Sequence, residues 1–417
     1  MTVTYRKRHK FRRSDCEHSK ECDNKRGRKH NSKCGRKCDS KCVRKCDSKC
    51  GRKCDCECGR NCDCDRRCNN SKPEKCKCNL ESIKNAIAHL QQHSDAMIKK
   101  GICIDDTTAA YTPRSNYPII PTDTFPSVWP NSAYPISSIR VFSYSLGSAP
   151  AKEWVLWAVQ NNIKVLIGIN LQDYTTDLNA LSNDYLAADP TLKQNFNDNV
   201  LAYAVGNEAN VPEIQQIIDG IAYAKDLISE SKLPNKPVST VLNLNEQWIL
   251  NTFPPENAIF TADFLNLEQY IDVIMFNTYG GYFIYEPSLL DASLSWTSNG
   301  QTFSILLNQF GAVRSAMRKQ NITKEFWIGE TGWSSAPLGN HPEPPGWSSL
   351  PHLKTFYKNF FDFNMDTPYL PQLATQTVMP PNRIFYFSVR DSFLHLLNVE
   401  EFFGLFTKQE SPLVQKV

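Results

Sequence analysis

The sequence predicts an α/β fold, a (β/α)8 or TIM barrel, that follows a low-complexity tail. Fifteen of the sixteen cysteines lie in residues 1–78. Eight short apolar segments follow residue 100, and polar or helical stretches separate them. These segments are almost continuously apolar, which is typical of parallel strands covered by helices. A doubly wound open sheet is the alternative, although no glycine-rich phosphate turn follows an early strand.

Residues 1–78 form a tail whose composition differs from that of the remaining chain. They contain 26 Lys+Arg and 11 Asp+Glu, whereas the other 339 residues contain 21 and 32. The tail repeats short motifs, as in CGRKCDSKCVRKCDSKCGRKC, and has almost no Leu, Ile, Val or Phe. Such a composition cannot bury a hydrophobic core, so we expect a disordered or cross-linked tail and a domain boundary near residue 79.

Three ligand chemistries remain open for this basic, cysteine-rich tail. Its thiols are separated by three residues or by one, and they could chelate soft metal ions such as zinc or copper(I). The two-residue spacing of zinc knuckles is absent. Disulfides would form in an oxidising compartment. Alternatively, a solvated cationic tail would bind polyanions or acidic surfaces.

The first residues, MTVTYRKRHKFRR, are basic but lack the apolar stretch of a signal peptide. No uninterrupted apolar run reaches the length of a transmembrane helix. The sequence therefore predicts neither a signal peptide nor a transmembrane segment, and the localisation is unknown from these features.

Residues 79–100 are predicted to form a helix that links the tail to the barrel. Ile83, Ile87 and Leu90 have helical spacing behind Asn79, a suitable N-cap. The barrel domain occupies residues 101–417. Its eight predicted strands are GICI, ISSIRVFSY, IKVLIGIN, LAYAVGNE, PVSTVLN, IDVIMFNTY, EFWIGE and RIFYFSV.

The helices between these strands have recognisable start signals and apolar faces. Ser148 is predicted to cap APAKEWVLWAVQNN, and Pro212 suits the first turn of the helix after the fourth strand. The segment FSILLNQFGAVRSAMRKQ places its larger apolar residues on one face.

Two glutamates end predicted strands and are candidates for catalysis. Glu208 ends the fourth strand and Glu330 ends the seventh. The carboxyl ends of barrel strands share one mouth, so both side chains should meet there. Two converging carboxylates suit glycosidic bond cleavage, in which one donates a proton and the other attacks the anomeric carbon or activates water. The alternative for each is a solvated loop residue.

The motifs AYAVGNEA and WIGETGWSS resemble those of glycoside hydrolase family 17, the β-1,3-glucanases. That family belongs to the clan of retaining barrel glycosidases with Asn-Glu on strand four and Glu on strand seven. The similarity runs from about residue 101 to FFGLF at 402–406 and excludes the tail. It implies that Glu208 is the general acid/base, that Glu330 is the nucleophile, and that Asn207 binds the sugar 2-hydroxyl.

The resemblance also assigns cleft residues around the nucleophile. Arg140 and Tyr279 are expected to keep Glu330 ionised and oriented, and Trp333 is expected to lie under a glucose ring. The alternatives are a surface salt bridge for Arg140, a core-edge aromatic for Tyr279 and buried packing for Trp333.

The chain departs from the family pattern in two places. Family members usually have a Glu and a nearby Lys after the eighth strand, where this chain has Arg390 and Asp391. Near the first strand, Asp105 and Asp106 have no assignable role.

The resemblance implies a retaining, endo-acting β-1,3-glucan hydrolase that uses two glutamates and needs neither a metal nor an organic cofactor. A β-1,3-glucanosyltransferase with the same residues is one alternative. A non-catalytic carbohydrate-binding or structural surface protein is another. The polysaccharide substrate would suggest an extracellular, particle-surface or cell-surface location.

Overall fold

The computed structural model describes residues 97–105, 125–146, 151–280, 287–337, 346–392, 399–407 and 414–417. The cysteine-rich tail, and the ligands predicted for it, lie outside these residues. So do Asp106, Ser148 and most of the predicted linking helix. Met97 and Ile98 are helical, but Lys100 already begins the first strand, so that helix ends earlier than predicted.

Eight parallel strands close into a barrel in which strands that follow one another in sequence pair in space, and the last strand pairs with the first. Each predicted segment overlaps one strand, with bounds that agree to within a few residues, which confirms the barrel and excludes the open sheet. The strands are β1 Lys100–Cys103, β2 Ser138–Val141, β3 Lys164–Ile169, β4 Val200–Asn207, β5 Val238–Asn243, β6 Val273–Asn277, β7 Glu325–Thr331 and β8 Arg383–Tyr386.

Within the described ranges, at least one helix lies in each connection from β2 to β8. A short antiparallel pair, Ile249–Leu250 with Ile259–Phe260, follows β5. Ser304 caps the long seventh helix by accepting a hydrogen bond from the Leu307 amide. Pro212 lies in the 3-10 turn immediately before the fourth helix. The helices are α1 Lys152–Gln160, α2 Tyr174–Ala187, α3 Pro190–Asn199, α4 Ile214–Ser229, α5 Ala262–Glu268, α6 Leu290–Leu294, α7 Ile305–Lys319 and α8 Leu350–Asp362.

The core fills both the barrel interior and the layer between strands and helices. Every residue of β6 is buried, which explains why the strands read as continuous apolar runs. The predicted apolar face of α7 is buried against the barrel. Lys100 is also fully buried, and its ammonium donates to the carbonyls of Phe361 and Phe363 at the end of α8. In the ranges described, no helix combines the length and apolarity needed to cross a membrane.

Two strands change register near their carboxyl ends. On β4, Ala204 pairs with Ser239 and Asn207 pairs with Val241. Three steps along β4 thus match two along β5, so β4 contains one extra residue here. On β7, Ile328 and Glu330 face consecutive residues of β6, so Gly329 is the extra residue. Bulges of this kind bend a strand and redirect the next side chain. Both candidate carboxylates directly follow such an irregularity.

Candidate active site

Glu330 is almost completely buried at the mouth of the barrel, with 4% of its surface exposed. Arg140 Nη1 lies 2.9 Å from its Oε1, and Asn277 Nδ2 lies 2.6 Å from the same oxygen. The Tyr279 hydroxyl donates to Oε2 at 2.6 Å. Three donors on two oxygens stabilise the ionised carboxylate, which is the form that can act as a nucleophile.

Arg140 connects strand β2 to three neighbouring polar side chains. It is 1% exposed, so its ion pair with Glu330 is buried rather than on the surface. The guanidinium also donates to Asn277 Oδ1 at 3.0 Å and to Asn207 Oδ1 at 2.6 Å. These bonds offset part of the hydration that the buried guanidinium loses.

Glu208 occupies a different environment from Glu330. It follows β4 with a left-handed backbone, φ 56°, and its amide donates to Val241 O at 2.8 Å. Its side chain is half-buried, and Asn277 Nδ2 lies 2.8 Å from its Oε1. Across the described part of the chain, no cationic side chain forms an ion pair with Glu208. The two carboxylates therefore differ in burial and in charge partners, as an acid and a nucleophile must.

Asn277 joins the two carboxylates and was not predicted from the sequence. Its Nδ2 lies 2.8 Å from Glu208 Oε1 and 2.6 Å from Glu330 Oε1, so these two oxygens are at most about 5.4 Å apart. Retaining glycosidases separate their carboxyl groups by roughly 5 to 5.5 Å. The residue ends β6, two positions before Tyr279. A polar side chain at the end of an otherwise apolar strand was the signal in the sequence.

Gly329 makes room for this polar network. A Cβ there would lie 2.6 Å from Asn277 Oδ1 and 2.8 Å from Arg140 Nη1. Atoms do not approach so closely unless one of them moves. A side chain at position 329 would therefore push Asn277 and Arg140, two of the three donors to Glu330, away from that carboxylate. The bulge residue of β7 must therefore be glycine for the network to form.

Tyr279 combines its hydrogen bond to Glu330 with aromatic packing. Its ring meets Phe403 edge-on, with ring centroids 5.5 Å apart, and lies 6.5 Å from Phe387. The ring is only half-buried. These contacts fix the direction in which the hydroxyl points.

Trp333 departs from the prediction. Its side chain is 0% exposed and stacks on Trp347 with ring centroids 5.8 Å apart, while Nε1 donates to Trp347 O at 3.2 Å. Phe356 of α8 covers another part of the ring. A fully buried indole offers no face to a sugar, so the alternative of buried packing describes Trp333.

The acidic residues that fitted the family pattern poorly are buried. Asp391 forms an ion pair with Lys416 at 2.5 Å, so a cation from much later in the chain contacts this carboxylate. Arg390 is buried, and its backbone pairs with Phe406. Asp105 is buried after β1.

The arrangement supplies two carboxylates, one paired with a cation and one not, on the same polar network. No group of three or more His, Cys, Asp or Glu side chains in the described ranges is arranged to hold a metal ion. Proton transfer and nucleophilic attack are the chemistry that these side chains can perform by themselves.

No family model and no curated protein matches the chain. Among solved structures, a plant β-glucan endohydrolase shares 16% identity with a TM-score of 0.48, covering 67% of this chain and 90% of that one. CJP38, a β-1,3-glucanase and allergen of Cryptomeria japonica pollen, shares 20% identity with a TM-score of 0.48, covering 68% and 90%. An active-site mutant of the Rhizomucor miehei β-1,3-glucanosyltransferase, in complex with laminaritriose, shares 16% identity with a TM-score of 0.42, covering 65% and 82%. Likeness at these levels decides neither substrate nor activity.

Proposed function

We propose that this protein is a retaining glycoside hydrolase of the family 17 type that cleaves β-glucan, with endo-acting cleavage of β-1,3 linkages as the specific activity. The observation that carries the proposal is the shared amide of Asn277. It limits the separation of the Glu208 and Glu330 oxygens to about 5.4 Å, which suits a covalent intermediate. An inverting mechanism would need a wider gap, because a water molecule must fit between the carboxylate and the sugar.

In the first step, Glu330 attacks the anomeric carbon while Glu208 transfers its proton to the leaving glycosidic oxygen. The bond between anomeric carbon and leaving oxygen breaks, and a glycosyl ester forms on Glu330. In the second step, Glu208 takes a proton from water, which attacks the same carbon and releases Glu330. Two inversions give net retention.

Asn207 is suited to bind the sugar beside the reacting carbon. Its side chain is exposed at the mouth, and its Oδ1 receives hydrogen bonds from Arg140 Nη2 and Asn277 Nδ2. These bonds orient the amide so that its nitrogen can donate to a substrate hydroxyl. A hydrogen bond to the 2-hydroxyl that strengthens in the transition state lowers the barrier.

The decisive variant is Glu330→Gln, which keeps the size of the side chain and removes its nucleophilicity. We expect no release of reducing sugar from laminarin by E330Q, with the fold retained but a lower unfolding temperature, because Arg140 loses its buried anionic partner. Glu325→Gln is the matched control, since Glu325 lies on the same strand but is exposed. Full activity in E330Q would refute the assignment of the nucleophile.

The products formed by the wild-type protein test the remaining parts of the proposal. Incubation with laminarin, lichenan, cellulose and chitin, followed by sizing of the products, reports the linkage and the mode of cleavage. NMR of the first products should show the β-anomer. Products longer than the starting oligosaccharide would instead identify a glucanosyltransferase, and no cleavage of any glucan would favour the non-catalytic alternative.

A further inference from the structure

A buried ion pair between Asp391 and Lys416 has no part in the mechanism above. Lys416 Nζ is 2.5 Å from Asp391 Oδ1, and the two side chains are 8% and 9% exposed. Burying two opposite charges is costly unless further hydrogen bonds satisfy them. The other hydrogen bonds of Asp391 and Lys416 therefore indicate which part of the backbone the ion pair holds in place.

The ion pair holds the backbone on both sides of Phe403. Lys416 Nζ donates to the carbonyl of Phe402 at 3.2 Å, and the amide of Gly404 donates to Asp391 Oδ1 at 3.1 Å. These groups belong to the two peptide units that flank Phe403. The approach is close, because a Cβ on Gly404 would lie 2.0 Å from the Asp391 amide. The orientation of Phe403 is thus fixed from both directions.

Phe403 in turn packs on the tyrosine that contacts the nucleophile. Its ring meets that of Tyr279 edge-on, at 81° with centroids 5.5 Å apart. The Tyr279 hydroxyl donates to Glu330 Oε2 at 2.6 Å. A continuous series of contacts therefore runs from the C-terminal lysine to the reactive carboxylate.

We propose that Asp391 and Lys416 are positioning residues for the nucleophile, acting through Phe403 and Tyr279; this inference rests on the proposed function. Backbone hydrogen bonds from Leu405 to Ser388 and from Phe406 to Val389 hold the same segment independently of the pair. Loss of the pair therefore loosens Phe403 and Tyr279 while the segment stays attached to the barrel.

A double-mutant cycle between Lys416 and Tyr279 tests the connection. Tyr279→Phe removes a hydrogen bond to a charged acceptor, and we expect kcat to fall by about 10- to 100-fold. Lys416→Met should lower kcat by about 3- to 10-fold with little change in KM, because the substrate contacts remain. In the Y279F background, K416M should change kcat by less than about twofold, since the group it positions is gone.

Two further variants separate positioning from general loss of stability. Lys358→Met removes an exposed ion pair with Asp362 and should leave kcat unchanged. Asp391→Asn combined with K416M removes both charges, so it folds without an unpaired buried charge and should still lower kcat. Additive effects of K416M and Y279F, or wild-type kcat in K416M, would overturn the proposal.

Hydrogen exchange supplies a measurement that does not depend on activity. The amide of Gly404 should exchange faster in K416M than in the wild type, with no change in K358M. If the wild type cleaves no glucan, the proposed function fails, yet faster exchange would still support the structural link. Unchanged exchange of Gly404 would overturn it whether or not the protein is an enzyme.

Discussion

Replacement of Asn277 by alanine should strongly reduce kcat/KM while leaving the barrel folded. Asn277 is buried at the end of β6 and contacts both carboxylates and Arg140. Without the amide, Glu208 and Glu330 face each other across a gap with no donor between them. Glu330 then loses one of its three donors, and Glu208 loses the donor that stabilises the carboxylate it becomes when it gives up its proton.

The magnitude follows from the bonds that disappear. A hydrogen bond to a charged group contributes about 1.5–3 kcal/mol. Asn277→Ala removes one such bond from each carboxylate, so the low end of the range gives about 3 kcal/mol. If most of this loss falls on the transition state, kcat/KM should decrease by about 100-fold, at roughly 1.4 kcal/mol per factor of ten.

The assay is release of reducing sugar from laminarin, with thermal unfolding measured on the same samples. Asn308→Ala is the matched control, because Asn308 is also buried but lies on α7, away from the network. It should lower stability without a comparable loss of kcat/KM. An N277A enzyme with activity within about threefold of wild type would show that the shared amide is dispensable.

Two further predictions concern a glycine and a buried lysine. Gly329→Ala should lower kcat/KM by about 10- to 100-fold, because the added Cβ displaces Asn277 and Arg140. Gly311→Ala on α7 is the control, since its added Cβ would lie 2.6 Å from Pro371. It should lower the free energy of unfolding by about 1–3 kcal/mol and leave activity unchanged. Equal activity in the two variants would contradict this. Burial lowers the pKa of Lys100 from 10.5 to about 7, partly opposed by Asp362. The unfolded chain therefore binds more protons between pH 7 and 10.5, and the folded state becomes more stable as pH rises through this window. Relative to Lys100→Met, the wild type should gain about 2–3 kcal/mol between pH 7 and 9 in urea unfolding, and a constant difference would refute the shift.

The fold was predictable because barrel strands are buried on both faces. Each of the eight apolar segments overlaps one strand, and no distant contact was needed to find them. The end of the linking helix was less accessible to sequence reasoning. Lys100 is a polar residue that suits a helix end, but the barrel pairs it with Ile384 and buries its amine against the end of α8.

The candidate site was only partly predictable. Strand order brings Glu208, Glu330 and Arg140 to one mouth once the barrel closes, so their positions followed from the topology. The indole of Trp333 depends instead on where the chain turns after β7, and it turns toward α8. Asn277 was not predictable because its importance lies in its distances to Glu208 and Glu330, which are far away in sequence. Local pattern does not encode such distances.

The backbone φ angle of Glu208 bears on why a glutamate occupies this position. At φ 56° a residue with a Cβ is strained by about 1 kcal/mol, and glycine or asparagine would adopt the same backbone more comfortably. Glycine would relieve this strain, but it has no side chain to accept the hydrogen bond from Asn277. The backbone at this position therefore disfavours the carboxylate that lies beside Asn277, so backbone stability alone does not account for the residue found there.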